Sequence, residues 1–134
     1  MENTMKAFLF LIIAAFCTLS AQQTLAQSKV RVKFAPGKSE TTLSGTVRGY
    51  ATRDYIVHAA AGQTIDLKLT STHNPSVFSV FTPKGQNLDG AAEMTDFDGQ
   101  LPATGDYVVS VLMMRSEARR KGSNSNYSLN ISIR

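Results

Sequence analysis

Cysteine is almost absent from this 134-residue chain, since its one cysteine, Cys17, lies in an apolar N-terminal segment. Everything after that segment must fold without a disulfide framework. Charged residues are also scarce: they make up 18% of the chain, against about 25% in ordinary globular proteins. Hydrophobic residues make up 43%, a balance that is typical of a folded domain and excludes a disordered chain. The length suits one domain, which excludes a multidomain enzyme.

Residues that carry catalysis or hold metal ions are few. The two histidines, His58 and His73, have no cysteine after residue 17 to complete a zinc site of three or four ligands. No Gly-x-Ser-x-Gly motif precedes a helical pattern, so a serine hydrolase is not indicated. The segment 96–99, Asp-Phe-Asp-Gly, has part of a calcium loop but lacks the remaining acids, and we interpret it as a turn. Its two carboxylates are poorly placed for a glycosidase pair. We therefore expect no enzyme, no metal and no cofactor.

The N-terminus predicts export. Lys6 precedes an unbroken apolar run over residues 7–16, which is too short to span a bilayer comfortably. Small and polar residues follow and end at Ala26, so we expect a signal peptide over residues 1–26 that is cleaved after Ala26. The mature domain would be residues 27–134, with no stable membrane anchor.

A cleaved leader has two alternatives, an uncleaved membrane anchor and a lipoprotein. An uncleaved anchor is usually followed by a basic stop-transfer cluster, and no such cluster follows here. A lipoprotein would be processed at Cys17, but the bulky Phe16 stands where that processing needs a small residue. Both alternatives are therefore disfavoured.

The rest of the chain shows short alternating segments and no long helical period. Ile65, Leu67 and Leu69 alternate with polar residues, whereas residues 77–81 form a continuous apolar run that predicts an interior strand. The predicted strands cover residues 30–34, 41–47, 54–60, 64–70, 77–81, 107–111 and 127–133, with a weak strand between turns at 98–99 and 102–106. We find no internal repeat. The pattern predicts a single all-β domain, an antiparallel β-sandwich of about eight strands.

Two features outside the predicted core are suited to recognition. Tyr50 follows Gly49 in a turn, where an amphipathic ring is free to contact a partner. Residues 115–126 form a long polar connection in which 116–120 are compatible with one helical turn. It contains four basic residues: Arg115, Arg119, Arg120 and Lys121. Guanidinium groups are suited to carboxylates on a partner. Alternatively, Tyr50 caps the sandwich and the basic run is a solvated connection. The mature domain has a net charge of +4. Its basic residues outside 115–121 are dispersed along the sequence, so no nucleic acid partner is indicated.

A succession of short motifs extends from about Val30 to Ile133. The motifs are Ser44-Gly45, Gly49-Tyr50, Ala61-Gly62-Gln63, Phe81-Thr82-Pro83-Lys84-Gly85, Leu101-Pro102-Ala103-Thr104-Gly105-Asp106-Tyr107, Val111-Leu112, Arg115 with Ala118-Arg119, and Tyr127-Ser128-Leu129-Asn130-Ile131. Together they resemble the periplasmic inhibitors of goose-type (g-type) lysozyme found in Gram-negative bacteria. Several of these turns also resemble the broader pre-peptidase C-terminal type of β-sandwich. The Gly-Tyr turn and the Arg-x-x-x-Arg loop point to the inhibitors.

The resemblance implies a small β-sandwich that binds a host or competitor lysozyme stoichiometrically and blocks its active-site cleft, which protects peptidoglycan in the periplasm. It implies that Tyr50, Arg115 and Arg119 bind the enzyme. Arg120 and Lys121 are not carried over as contacts and are candidates for long-range steering. One alternative interpretation of the sequence remains: an exported carbohydrate-binding or structural accessory module of the pre-peptidase type.

Overall fold

A computed structural model describes residues 28–134, so the signal peptide expected over residues 1–26 lies outside the described residues. Within the described part, the chain forms eight β-strands and one short helix, α1. The strands are β1 (Ser28–Arg31), β2 (Glu40–Arg48), β3 (Arg53–Ala59), β4 (Thr64–Thr72), β5 (Ser76–Phe81), β6 (Asp96–Gln100), β7 (Gly105–Met113) and β8 (Asn124–Ile133). Helix α1 (Arg115–Ala118) lies between β7 and β8.

The strands form two four-stranded sheets that face each other. Sheet A has the order β1-β3-β7-β5, and sheet B has the order β2-β8-β4-β6. The two sheets enclose one continuous apolar core, as the alternating sequence predicts. The predicted β-sandwich of about eight strands is therefore confirmed.

One strand pair departs from the antiparallel arrangement. β1 pairs in parallel with β3, with Ser28 opposite Arg53 and Arg31 opposite Ile56. The cause is the chain path: β2, which separates β1 from β3 in sequence, lies in the other sheet. The chain thus leaves sheet A after β1 and runs back through sheet B as β2. It then returns to sheet A as β3, which runs in the same direction as β1.

The prediction of a turn at Asp96-Phe97-Asp98-Gly99 is wrong, because these residues lie in strand β6. Phe97 packs against the core, and Gly99 provides room for its ring. A Cβ atom at position 99 would lie 2.7 Å from Phe97 Cζ. The glycine therefore serves side-chain packing within a strand, where sequence reasoning took it for a turn former.

A pair of tyrosines joins the two sheets in the core. Tyr55 of β3 and Tyr127 of β8 have their hydroxyl groups 2.6 Å apart, and their rings meet edge to face. Gly45 of β2 lies opposite Tyr127 in the ladder, and a Cβ atom there would lie 2.5 Å from the Tyr127 hydroxyl oxygen. Burial raises the pKa of Tyr127, and the hydrogen bond with Tyr55 adds to this effect. The glycine of the Ser44-Gly45 motif thus makes room for a buried hydrogen bond between the sheets.

Candidate functional site

The predicted recognition residues lie at one end of the sandwich, here called the α1 end and defined as residues 48–53, 72–76 and 113–124. Strands β2, β4 and β7 end there, and β3, β5 and β8 begin there. Three connections therefore lie close together: the β2–β3 turn, the β4–β5 turn and the β7–β8 connection that contains α1.

The β2–β3 turn presents Tyr50 to solvent. Gly49 has a φ of +53°, a conformation that favours glycine, and the Ala51 N–H donates to the Arg48 carbonyl at 3.0 Å to close the turn. The Tyr50 side chain that follows is 65% exposed. An exposed ring is what the turn pattern predicts, and it leaves the aromatic face free for a partner.

Helix α1 presents two arginines on one side. The Arg119 N–H donates to the Arg115 carbonyl at 3.2 Å, so the two residues are one helical turn apart and both are exposed. Ala118 points the other way and is buried in the core, with 5% exposure. The single turn of helix thus orients Arg115 and Arg119 outward because Ala118 fixes its inner side.

The apolar pair before α1 divides between core and surface. Met113 is the last residue of β7 and is buried, while Met114 precedes the helix and is 44% exposed. The Met114 carbonyl accepts hydrogen bonds from the Glu117 N–H at 3.0 Å and the Ala118 N–H at 2.9 Å. Met113 therefore anchors the start of the connection, and Met114 adds apolar surface beside Arg115.

A backbone hydrogen bond ties the Tyr50 turn to the β7–β8 connection. The Gly49 N–H donates to the Ser123 carbonyl at 3.1 Å, and the Ser123 hydroxyl donates to the Ala118 carbonyl at 3.3 Å. A Cβ atom on residue 49 would lie 3.9 Å from that same Ala118 oxygen, so Gly49 packs closely against the connection. The structure therefore brings the elements that carry Tyr50, Arg115 and Arg119 together in one hydrogen-bonded unit.

The β4–β5 turn supports this unit in a way that sequence reasoning missed. The Asn74 side-chain amide donates to the Asn124 carbonyl at 2.7 Å, and the Ser125 hydroxyl donates to the Asn74 carbonyl at 2.5 Å. These bonds join residues about fifty positions apart. The sequence here shows only an Asn-Pro pair, which is typical of a turn. Such a pair does not indicate which distant residues the turn contacts.

The cationic character of the α1 end is broader than the sequence suggested. Besides the four basic residues of the β7–β8 connection, Arg48 ends β2 and Arg53 begins β3. Glu117 lies 3.4 Å from Arg120 and is the one acidic residue in the ranges that define this end. Arg53 is partly buried, and its Nε atom has no hydrogen-bond partner in the described part of the chain.

Among residues 28–134, no cluster of three histidines, cysteines or acids that could hold a metal ion occurs. His58 instead lies 3.1 Å from Asp106, whose carboxylate also accepts two hydrogen bonds from Arg31, at 2.9 and 3.2 Å. The hydrogen bonds from Arg31, and secondarily from His58, lower the pKa of Asp106 to about 2. The group is exposed and lies on the outer face of sheet A.

A shallow cavity of about 250 Å³ lies at the end of the β4–β8 pair. Hydroxyl and amide side chains dominate its lining, which comprises Thr70, Ser71, Thr72, Asn126, Tyr127 and Ser128. It offers neither a carboxylate nor an imidazole, so its chemistry is that of hydrogen bonding alone.

For residues 28–134, no helix has the length and apolar character needed to cross a lipid bilayer.

Comparison with known proteins gives a consistent set of relatives, although no family model matches the chain. The crystal structure of Aeromonas hydrophila PliG, described as a periplasmic lysozyme inhibitor of g-type lysozyme, is 36% identical with a TM-score of 0.69. The match covers 80% of this chain and 96% of that one. The Salmonella Typhimurium PliG structure, described in the same words, is 28% identical with a TM-score of 0.67, covering 81% of this chain and all of that one.

A curated relative from Escherichia coli (strain K12) is named inhibitor of g-type lysozyme. It is 28% identical over 136 residues, and the match covers 99% of this chain and 98% of the relative. The likeness therefore extends over nearly the full length of each protein.

Proposed function

This chain belongs to the PliG family of periplasmic inhibitors of g-type lysozyme, and we propose that it inhibits the enzyme by placing its α1 end in the active-site cleft. The protein is an inhibitor of g-type lysozyme, and its partner in the periplasm is a g-type lysozyme. The observation that supports the α1 end is the joint presentation of three exposed side chains, Tyr50, Arg115 and Arg119, on hydrogen-bonded connections.

The arginines suit the chemistry of a glycan-cleaving site. Enzymes that hydrolyse glycosidic bonds use an essential carboxylic acid in a groove shaped for sugar rings. A guanidinium group binds a carboxylate through paired, charge-assisted hydrogen bonds. Arg115 and Arg119 project from the same side of α1, so both reach one partner surface. We assign them to acidic groups in the cleft.

Tyr50 suits a sugar-binding position in the same groove. Its ring offers an apolar face and its hydroxyl a hydrogen-bonding group, which matches the mixed surface that accepts a sugar ring. The protein thereby blocks the cleft by occupancy, without turnover.

The fixed geometry of the α1 end favours tight binding. The Gly49–Ser123 hydrogen bond and the buried Ala118 hold both connections before the partner arrives. A pre-ordered surface loses less conformational entropy on association than a flexible loop does. Inhibition therefore depends on the sandwich framework as well as on the contact residues.

Residues 1–26 act as a signal peptide that directs the chain to this compartment and is then cleaved. We propose that the exported protein begins at Gln27, because Ala26 supplies the small residue that the signal peptidase needs at the end of the segment after the apolar run. Intact-mass measurement of periplasmic material should give the mass of residues 27–134. A mass that retains Met1 would contradict this processing.

A titration of lysozyme activity tests the proposed function. The exported protein is added to g-type lysozyme and, in parallel, to chicken-type lysozyme. We expect inhibition of the g-type enzyme that saturates near one inhibitor per enzyme, with chicken-type activity unchanged. A carbohydrate-binding module would coat the substrate and slow both enzymes alike. Full g-type activity at a large molar excess of the protein would contradict inhibition.

A further inference from the structure

Positive charge is concentrated at the α1 end. The described residues include 13 of the 14 Lys and Arg residues, all but Lys6, and nine of the ten acidic residues, all but Glu2. Six of these cations and only Glu117 among the acids lie in the ranges that define the α1 end, which therefore has a formal charge of +5. The remaining described residues have seven cations and eight acids, a formal charge of −1.

Little of this charge is neutralised within the described part of the protein. Glu117 pairs with Arg120, whereas the other ion pairs there are formed by Asp106 and Asp98, which lie outside the α1 end. Arg48, Arg115, Arg119 and Lys121 are exposed and form none of these pairs. Positive potential therefore extends into solvent from the end that the proposed function places against the enzyme.

We propose that the α1 end is electrostatically matched to a g-type lysozyme with acidic groups around its cleft, and that Arg48 and Lys121 accelerate encounter without forming the central contacts. This inference rests on the proposed function and adds the charge of the partner surface. Complementary charge raises association rates, while central buried pairs mainly set dissociation rates. The protein therefore discriminates among g-type lysozymes by the sign of the charge around the cleft.

The positions of these two residues separate their role from that of the proposed contacts. Arg48 is the exposed last residue of β2 and lies opposite Asn124 in the ladder, and Lys121 follows α1 as an exposed residue. Arg48 takes part in the Tyr50 turn only through its backbone carbonyl, and Lys121 lies beyond the helical turn that carries Arg115 and Arg119, so neither side chain is one of the proposed contacts. Their charges act over the screening length, which is about 8 Å at physiological ionic strength.

Association kinetics test the proposal with a matched pair of double variants. Arg48→Gln/Lys121→Gln removes two charges from the α1 end, and Lys38→Gln/Lys84→Gln removes two exposed charges from outside it. Association and dissociation rates with g-type lysozyme are measured across a range of ionic strength, and circular dichroism checks the fold. We expect about a tenfold lower association rate for the first variant at low salt. Its dissociation rate and both rates of the second variant should stay within about twofold of the unmodified protein.

A variant of opposite sign sharpens the test. Glu117→Gln removes the acid of the α1 end, so it should raise the association rate at low salt, and all differences should shrink at high salt. Lysozymes with more acidic clefts should associate faster than those with basic clefts. Equal effects of the two double variants, or an association rate independent of salt, would overturn the steering role while leaving inhibition itself intact. Absence of inhibition by the unmodified protein would overturn the proposed function and this inference together.

Discussion

Two connections at the end of the sandwich opposite α1 differ in character from the connections of the α1 end. At the end opposite α1, the connections 60–63 and 101–104 contain no charged residue, and the Gly62 N–H donates to the Leu101 carbonyl at 2.8 Å to join them. At the α1 end, residues 114–123 contain four cations, and the neighbouring turn exposes a tyrosine. Both ends are tied by hydrogen bonds between connections. The difference lies in what these connections present: 60–63 and 101–104 close the fold, whereas those of the α1 end also display side chains suited to an acidic, glycan-binding partner.

Removing the helix arginines should have the largest effect on binding. Arg115→Ala and Arg119→Ala should each weaken the lysozyme complex by about 2–5 kcal/mol, because a carboxylate in the partner's cleft loses its buried partner. Stability should change by less than about 0.5 kcal/mol, since both side chains are exposed. Calorimetric titration and thermal unfolding measure the two effects.

The matched control for the arginines lies away from the α1 end. Arg134 is exposed and lies 3.9 Å from Asp98, so Arg134→Ala removes an arginine of similar exposure. Its complex with lysozyme should keep its affinity. Equal losses for Arg134→Ala and the two α1 variants would remove the functional distinction between the ends.

A core substitution should give the opposite pattern. Leu67 of β4 is fully buried, so Leu67→Ala should lower the free energy of unfolding by about 2–5 kcal/mol as a cavity opens. Denaturant unfolding measures the loss. Below the unfolding transition, the folded fraction should bind lysozyme with unchanged affinity. A loss of affinity while the variant is still fully folded would show that the geometry of the α1 end depends on core packing as well as on its hydrogen bonds.

Tyr50 should contribute to binding on a smaller scale. Tyr50→Ala removes an exposed ring and should cost about 2 kcal/mol of affinity, the range of interface hot spots, with little change in stability. Tyr50→Phe keeps the ring and should retain most of the affinity in the same calorimetric titration. Unfolding of Tyr50→Ala would instead identify the ring as a cap of the sandwich.

The smallest effect concerns Asp106, outside the α1 end. Its pKa is about 2 because Arg31 and His58 hydrogen-bond to the carboxylate, against an ordinary value of 3.8. A pKa that is lower in the folded state contributes stability above pH 3.8, and this contribution disappears as the pH falls toward 2. Asp106→Asn should therefore show a flatter decline in stability over this acid range. Side-chain carboxyl chemical shifts report the pKa directly, and a midpoint near 3.8 would contradict the ion cluster.

Much of the framework could be predicted from alternation in the sequence. The alternating residues of β4, β7 and β8 are buried where expected, and the continuous apolar run 77–81 is an interior strand. These signals are local, because side chains alternate across every strand. The same local logic failed at Gly99, where a glycine makes room for Phe97 within a strand.

The arrangement of the α1 end depends on contacts that sequence spacing does not reveal. Residue type and the family resemblance point to Tyr50, Arg115 and Arg119, and their roles in binding stay predictions. The bond from Asn74 to Asn124 and the placement of Arg48 and Arg53 at the same end follow from strand order. Strand order is set by packing across the whole domain, so the full extent of positive charge could be seen only in the fold.

Hydrogen exchange of the inhibitor, free and in complex with g-type lysozyme, tests most directly which end binds. Backbone amides buried by a partner exchange more slowly. We predict added protection in residues 49–52 and 114–123 of the complex, with exchange unchanged in residues 60–63 and 101–104. Added protection confined to 60–63 and 101–104, with none in the Tyr50 turn or α1, would contradict the central claim that the α1 end enters the lysozyme cleft.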